Sequence, residues 1–293
     1  SGFGGFAMAI RLKAHAANGT LVERLSNLGG RAQVFERNGF VHDAGPTVIT
    51  APFLFDELFD LFGKDRRDYC ELIPLSTWYD FIFEDGSKFS YTGDLDHTFE
   101  QIRQFEPSDV QGYKRLLDLS ESIFRVGFEQ LSDQPFTRFW TMLKQVPALL
   151  KLQSYRTVYG LVSKYISDEK LRKVFSIHPL LVGGNPFTTT SIYTLIHFLE
   201  RKWGIHFARG GTGALVKSLE KLMTEEGVTI ETNFDVTRIE INPQTKKVTG
   251  LLSADGREIS CDGLVFNGDN PYCLLYTSPR PRDLSTSRMR SSA

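Results

Sequence analysis

Ser1-Gly2-Phe3-Gly4-Gly5 opens the chain, and Phe6-Ala7-Met8-Ala9-Ile10-Arg11-Leu12-Lys13-Ala14 follows at once. Glycines running straight into a helix-forming segment decide the fold. They let the backbone approach a phosphate, and the helix N-terminus adds free amides and a positive dipole end. Read as the back half of G-x-G-x-x-G, Gly2 is the second glycine, Gly5 the third, and Gly4 lies between them. The first glycine and the strand that feeds such a turn fall before Ser1, so we expect upstream sequence. After a stop at Gly19, Thr20-Leu21-Val22-Glu23 reads as a short strand. Glu23 stands 21 positions beyond Gly2, where an acidic residue receives ribose hydroxyls. Taken singly, the glycines make a loop and Glu23 a solvated strand end. Together they point to a dinucleotide-binding unit.

Working outward, Gly29-Gly30-Arg31-Ala32 is either a turn with a surface arginine or a segment that brings a guanidinium to a diphosphate. His42-Asp43-Ala44-Gly45-Pro46-Thr47 is a turn by its Gly-Pro pair, or a tight backbone path beneath a flat ring system. Gln33 to Phe40 alternates only loosely. Trp78–Phe83, Asp85-Gly86 and Lys88–Tyr91 form a hairpin pattern. From Asp96 to about Arg201 the period becomes helical, with Ser108 as a candidate N-cap and Asp168-Glu169 opening another helix. Pro135 and Pro147 divide the stretch between. After Gly213 a helix over Ala214–Glu226 returns, followed by short strands at 228–232, 236–242, 248–253 and 258–261. The expected organisation is a nucleotide domain over 1–95, a helical insertion over 96–205, a return over 206–272, and a tail over 273–293.

The composition is that of a folded chain: 293 residues, 41% hydrophobic and 24% charged, too apolar for disorder. Lys plus Arg is 34 against 35 for Asp plus Glu, a net charge of −1, which gives no electrostatic basis for nucleic acid binding. Cys70, Cys261 and Cys273 are too scattered for a disulfide framework, and no His or Cys pair has metal-ligand spacing. No metal is expected, and a reducing compartment fits. Cys273 to Ala293 has no apolar period. That stretch reads as a disordered tail or as foreign sequence resembling a translated sequencing adapter.

Val174 to Leu199 is 26 residues long without Asp, Glu, Lys or Arg, the length of a membrane span. Gly183-Gly184-Asn185-Pro186 and Thr188-Thr189-Thr190-Ser191 would leave polar groups unsatisfied in lipid. Two buried helices joined by a turn are expected instead. Their apolar lining suits either a core or a tunnel for a long apolar ligand. Phe139-Trp140, Met142–Lys144 and Pro147–Leu152 interleave aromatic, aliphatic and basic residues, as in a surface amphipathic helix or one lying in a membrane interface.

Glu23, Gly29–Ala32 and Asp43–Thr47 resemble the flavoprotein family of amine oxidases and carotenoid desaturases. Leu180–Phe187, Ser191–His197, Glu200–Gly204 and Arg209–Leu215 resemble its bacterial and fungal phytoene desaturase branch, and the likeness runs from Ser1 to about Pro271. It implies an α/β (α+β overall) architecture, a Rossmann-like FAD-binding domain with an inserted, largely helical substrate domain. It also implies FAD-dependent removal of hydrogen from phytoene toward neurosporene or lycopene. Implied besides are peripheral membrane contact from the cytoplasm and a quinone or other electron acceptor. Position by position, Gly2, Gly4 and Gly5 match the glycine turn and Glu23 the ribose ligand. Gly30 and Arg31 match the diphosphate segment, Pro46 and Thr47 the segment near the flavin, and Val236 the backbone beside the adenine. The family pattern continues beyond this sequence, so the chain reads as a fragment. Alternatives are another carotenoid oxidoreductase and a non-catalytic isoprenoid-binding protein of the GDP-dissociation-inhibitor type. The flavin performs such oxidations, so no catalytic residue is assigned, although His178, His197, Glu200 and Arg201 cluster in the phytoene-desaturase-like block.

Overall fold

The computed structural model describes residues 1–130 and 146–268. Its helices are α1 (Phe3–Ala14), α2 (Phe53–Asp60), α3 (Leu95–Phe105), α4 (Asp109–Phe124), α5 (Val158–Tyr165), α6 (Glu169–Phe175), α7 (Leu195–Trp203) and α8 (Thr212–Glu225). The strands are β1 (Thr20–Val22), β2 (Val34–Arg37), β3 (Phe40–Asp43), β4 (Leu72–Pro74), β5 (Thr77–Ile82), β6 (Lys88–Thr92), β7 (His206–Ala208), β8 (Thr229–Glu231), β9 (Val236–Ile241), β10 (Val248–Ser253) and β11 (Glu258–Ser260). The chain divides into two compact units. Unit 1 takes Ser1–Thr47, Phe53–Glu71 and the chain from Ala208; unit 2 takes Val48–Pro52 and Leu72–Phe207.

In unit 1, β1 pairs in parallel with β8, Leu21 opposite Ile230. Parallel pairing requires a crossover rather than a hairpin. Phe6 and Ile10 of α1, Leu58 and Phe59 of α2, and Leu219, Leu222 and Met223 of α8 share one core. The α8 residues recur at helical spacing, so one face turns inward. A second core of Phe234, Ile239 and Leu251 forms around the antiparallel order β9–β10–β11. The loosely alternating stretch from Gln33 proves to be a hairpin, β2 on β3. Its turn is Asn38-Gly39, with φ of 53° and 79°, the pair that a two-residue turn of matching twist demands. That dipeptide was the missed signal.

In unit 2, the expected hairpin is present as β5 on β6. Alternation along β6 sends Phe89 and Tyr91 inward, where they pack with Ile102 of α3, Tyr113 and Leu116 of α4, Val162 of α5 and Phe175 of α6. The hairpin therefore lies in unit 2, whereas the sequence reading placed it in the first nucleotide-domain segment. Ser108 does not cap α4. It is already helical in conformation and makes no cap bond, because its hydroxyl donates to Glu106 Oε1 at 2.7 Å instead. Asp168 does cap α6, accepting from the Leu171 amide at 2.9 Å.

The uncharged run is not a pair of buried helices. After α6 comes a 3-10 turn, His178–Val182, ended by left-handed Gly183. A second 3-10 turn, Ser191–Thr194, leads into α7. The glycines and Pro186 break helix propagation, so Leu180, Val182 and Phe187 stand 58%, 58% and 61% exposed. Among the described residues no helix is long and apolar enough to cross a membrane. Pro135, Phe139–Lys144 and Cys273–Ala293 lie outside the described residues.

Candidate cofactor site

Helix α1 begins at Phe3 with Gly2 as its N-cap and no side-chain cap bond. Its first amides are therefore left for an incoming acceptor. The turn is pressed against its neighbours backbone to backbone. A methyl group on Gly30, which has φ of 57°, would stand 3.0 Å from the Ser1 carbonyl oxygen and 3.1 Å from Gly2 Cα. On Gly4 it would stand 2.6 Å from Asn267 Oδ1, and on Gly45 it would overlap the Arg31 carbonyl oxygen. The segments around Gly2, Gly30 and Gly45 thus nest at distances only glycine permits.

Glu23 ends β1 and is 7% exposed. Its Oε2 accepts from the Ser1 hydroxyl at 2.9 Å, and its Oε1 accepts from the Leu25 amide at 2.9 Å. Burial raises its pKa, and the Leu25 amide and the Ser1 hydroxyl oppose that rise. A carboxylate sits beside the glycine turn, with lone pairs beyond those its own chain uses.

The remaining expected residues fall on the same unit. Arg31 is exposed in a short 3-10 turn, Gly30–Ala32. Val236 starts β9 opposite Ser253. The segment just before it is bonded to the end of β1, Phe234 N donating to Glu23 O at 2.8 Å and Asn233 N to Leu25 O at 3.0 Å. Pro46 is fixed through its carbonyl, which accepts from Thr212 Oγ1 at 2.6 Å, and Thr47 follows it, half-buried. Asp43 holds the start of α8 by accepting from the Thr212 amide at 3.0 Å and the Gly213 amide at 3.4 Å. The sequence reading quoted both motifs without joining them, because nothing local couples residues so far apart in the chain.

The clustered residues of unit 2 are an internal scaffold. His178 Nε2 meets Glu200 Oε2 at 2.9 Å, and the Tyr79 hydroxyl donates to Glu200 Oε1 at 3.0 Å. Arg201 donates to Tyr113 at 3.1 Å; Tyr113 and Tyr91 are 2.9 Å apart; Tyr91 reaches His197 Nδ1 at 3.5 Å; His197 Nε2 meets the Phe175 carbonyl at 2.9 Å. A neutral His197 donating from Nε2 satisfies every link. Burial, reinforced by the neighbouring His178 ring, depresses its pKa well below the ordinary value. Sequence reasoning had the residues but not the chain, since Tyr79, Tyr91 and Tyr113 come from other elements.

A nested glycine turn with a buried carboxylate beside it fits an adenine dinucleotide. Residues 3–274 match the family described as flavin containing amine oxidoreductase. A lycopene-forming phytoene desaturase of Pantoea ananas is 46% identical across all of this chain and 60% of its own length. A neurosporene-forming one of Rhodobacter capsulatus is 34% identical across 92% of this chain and 51% of its own. The chain thus spans somewhat over half the length of these curated relatives. Among solved structures, a Pyrococcus furiosus protein has a TM-score of 0.62 at 17% identity, covering 97% of this chain and 60% of its own. Rab GDI of Plasmodium falciparum has 0.53 at 13%, covering 92% and 63%. These two share the fold alone. The cofactor of this family is a flavin, and the turn and acid fit its dinucleotide form, FAD. The chain belongs to the flavin containing amine oxidoreductase family.

Proposed function

We propose that this chain belongs to an FAD-dependent enzyme that desaturates phytoene toward neurosporene or lycopene, in carotenoid biosynthesis. The carrying observation is the glycine cradle with Glu23 beside it, in a chain 46% identical to a phytoene desaturase. The isoprenoid-binding reading is set aside, because the Rab GDI shares only the fold. Gly2, Gly4 and Gly5 admit the diphosphate to the start of α1, and Gly30 keeps the neighbouring loop close enough for Arg31 to reach it. Glu23 receives ribose hydroxyls, the backbone at Val236 flanks the adenine, and Pro46 and Thr47, tied to α8, form the path near the ring. When bound, FAD supplies the hydride acceptor for oxidising an allylic carbon. The protein binds, orients and excludes water, and no side chain is assigned the proton.

Phytoene partitions into bilayers rather than water, so we place the enzyme as a peripheral membrane protein on the cytoplasmic side, with a quinone or similar acceptor reoxidising the flavin. Exposed Leu180, Val182 and Phe187 support membrane contact, and unpaired Cys70 and Cys261 suit a reducing compartment. To test the activity, the complete reading frame is expressed in cells that accumulate phytoene. Coloured carotenoid is expected; colourless cells containing soluble, flavin-loaded protein would sink the assignment.

A further inference from the structure

We propose that Asn267 donates its side-chain amide to the diphosphate of FAD at the glycine turn, an inference that rests on the FAD reading above. Asn267 follows β11, on the last described pass of the chain through unit 1. Its carboxamide covers the face of the turn that the three glycines leave bare. Methyl groups on Gly2, Gly4 and Gly5 would stand 3.6, 2.6 and 3.4 Å from its Nδ2, Oδ1 and Nδ2 atoms respectively. The side chain is exposed, and among the described residues its amide has no hydrogen-bond partner. An apolar side chain would fill that space as well. The carboxamide adds two N–H donors, close against the turn because the glycines make room for it. Arg31, also exposed and without a partner for its guanidinium among the described residues, supplies the charge that a neutral amide lacks. The division of labour is then clear: Arg31 neutralises the diphosphate, and Asn267 orients it over the turn by a directed hydrogen bond.

Three substitutions separate donation from bulk. Asn267→Leu keeps the volume and removes the donors; Asn267→Ala removes both; Asn267→Asp keeps the shape and puts an anion in their place. Each is made in the complete reading frame. FAD and ADP affinities are titrated by fluorescence, and melting temperature is recorded without cofactor. Leu and Ala variants should each weaken FAD and ADP about tenfold, the worth of one hydrogen bond to a charged group. The Asp variant should lose more, by an amount that shrinks as salt screens the repulsion. All three should melt within a degree or two of the parent without cofactor. A Leu variant with parental affinity overturns the inference, because bulk alone would then suffice, and so does an Asp variant with parental affinity. Affinity losses matched by losses of apo-protein stability also overturn it, making Asn267 a structural prop. A parent chain that binds no FAD overturns the cofactor reading and this inference with it.

Discussion

A carboxylate as buried as Glu23 must either be protonated or be surrounded by donors. The Ser1 hydroxyl and the Leu25 amide donate to it beside the glycine turn. Replacing it with alanine removes the charged acceptor for the ribose hydroxyls, a loss of about 1.5–3 kcal/mol, or roughly 10- to 150-fold in FAD affinity. Flavin titration and retention on gel filtration check this, and full retention would remove Glu23 from the site. The position of Glu23 at the end of β1 was legible in the sequence because its distance from Gly2 is a property of one turn-helix-strand unit, fixed by local geometry. Asn267 was not legible. Its carboxamide reaches Gly4 only because the strands after β8 bring it back to the turn. Ser108 shows the converse error: a plausible cap by residue type was outcompeted by Glu106, an acceptor two residues away.

Elements followed their local signals where those signals were complete. Asp85-Gly86 placed the β5–β6 hairpin correctly, and Asn38-Gly39 carried the same information for β2–β3. An absence of charge, by contrast, does not specify helix. The run from Val174 became 3-10 turns and loop because proline and left-handed glycine interrupt it. Helix α7 is held from within by the donor chain through Arg201 and His197. Because His197 is depressed well below its ordinary value in the folded state, it stays neutral as pH falls, while its unfolded counterpart gains a proton near 6.5. The unfolded state then binds more protons, so stability falls as pH drops below about 6.5, by up to ~1.4 kcal/mol per unit. The groups facing it are His178, Tyr91, Tyr113 and Arg201. The parent should melt lower at pH 5.5 than at 7.5, and His197→Gln should flatten that dependence. A variant whose melting temperature falls as steeply as the parent's would exclude His197 as the titrating group.

At the scale of the whole molecule, the residues proposed to hold the cofactor all fall on unit 1 and the donor chain lies wholly within unit 2. FAD at a hundredfold excess over its dissociation constant should stabilise the binding state by about 2.7 kcal/mol. For a chain of this size that is a rise of roughly 4–5 °C in melting temperature, read by calorimetry with and without FAD. No shift would mean that the glycine turn is not a functioning site. The sequence by itself determined the glycine turn into α1, the acid at the end of β1, the change of period from strand to helix and back, and the likeness to desaturases. Each depends on backbone conformation or on spacing along a single stretch of chain. Only the tertiary structure decided that Asp43 holds the start of α8, that the β5–β6 hairpin belongs with the helices of unit 2, that Tyr91 and Tyr113 complete the polar chain to His197, and that Asn267 lies over the glycines. Those contacts join residues far apart in sequence, and it is the burial of shared apolar faces, not any local preference, that brings them together.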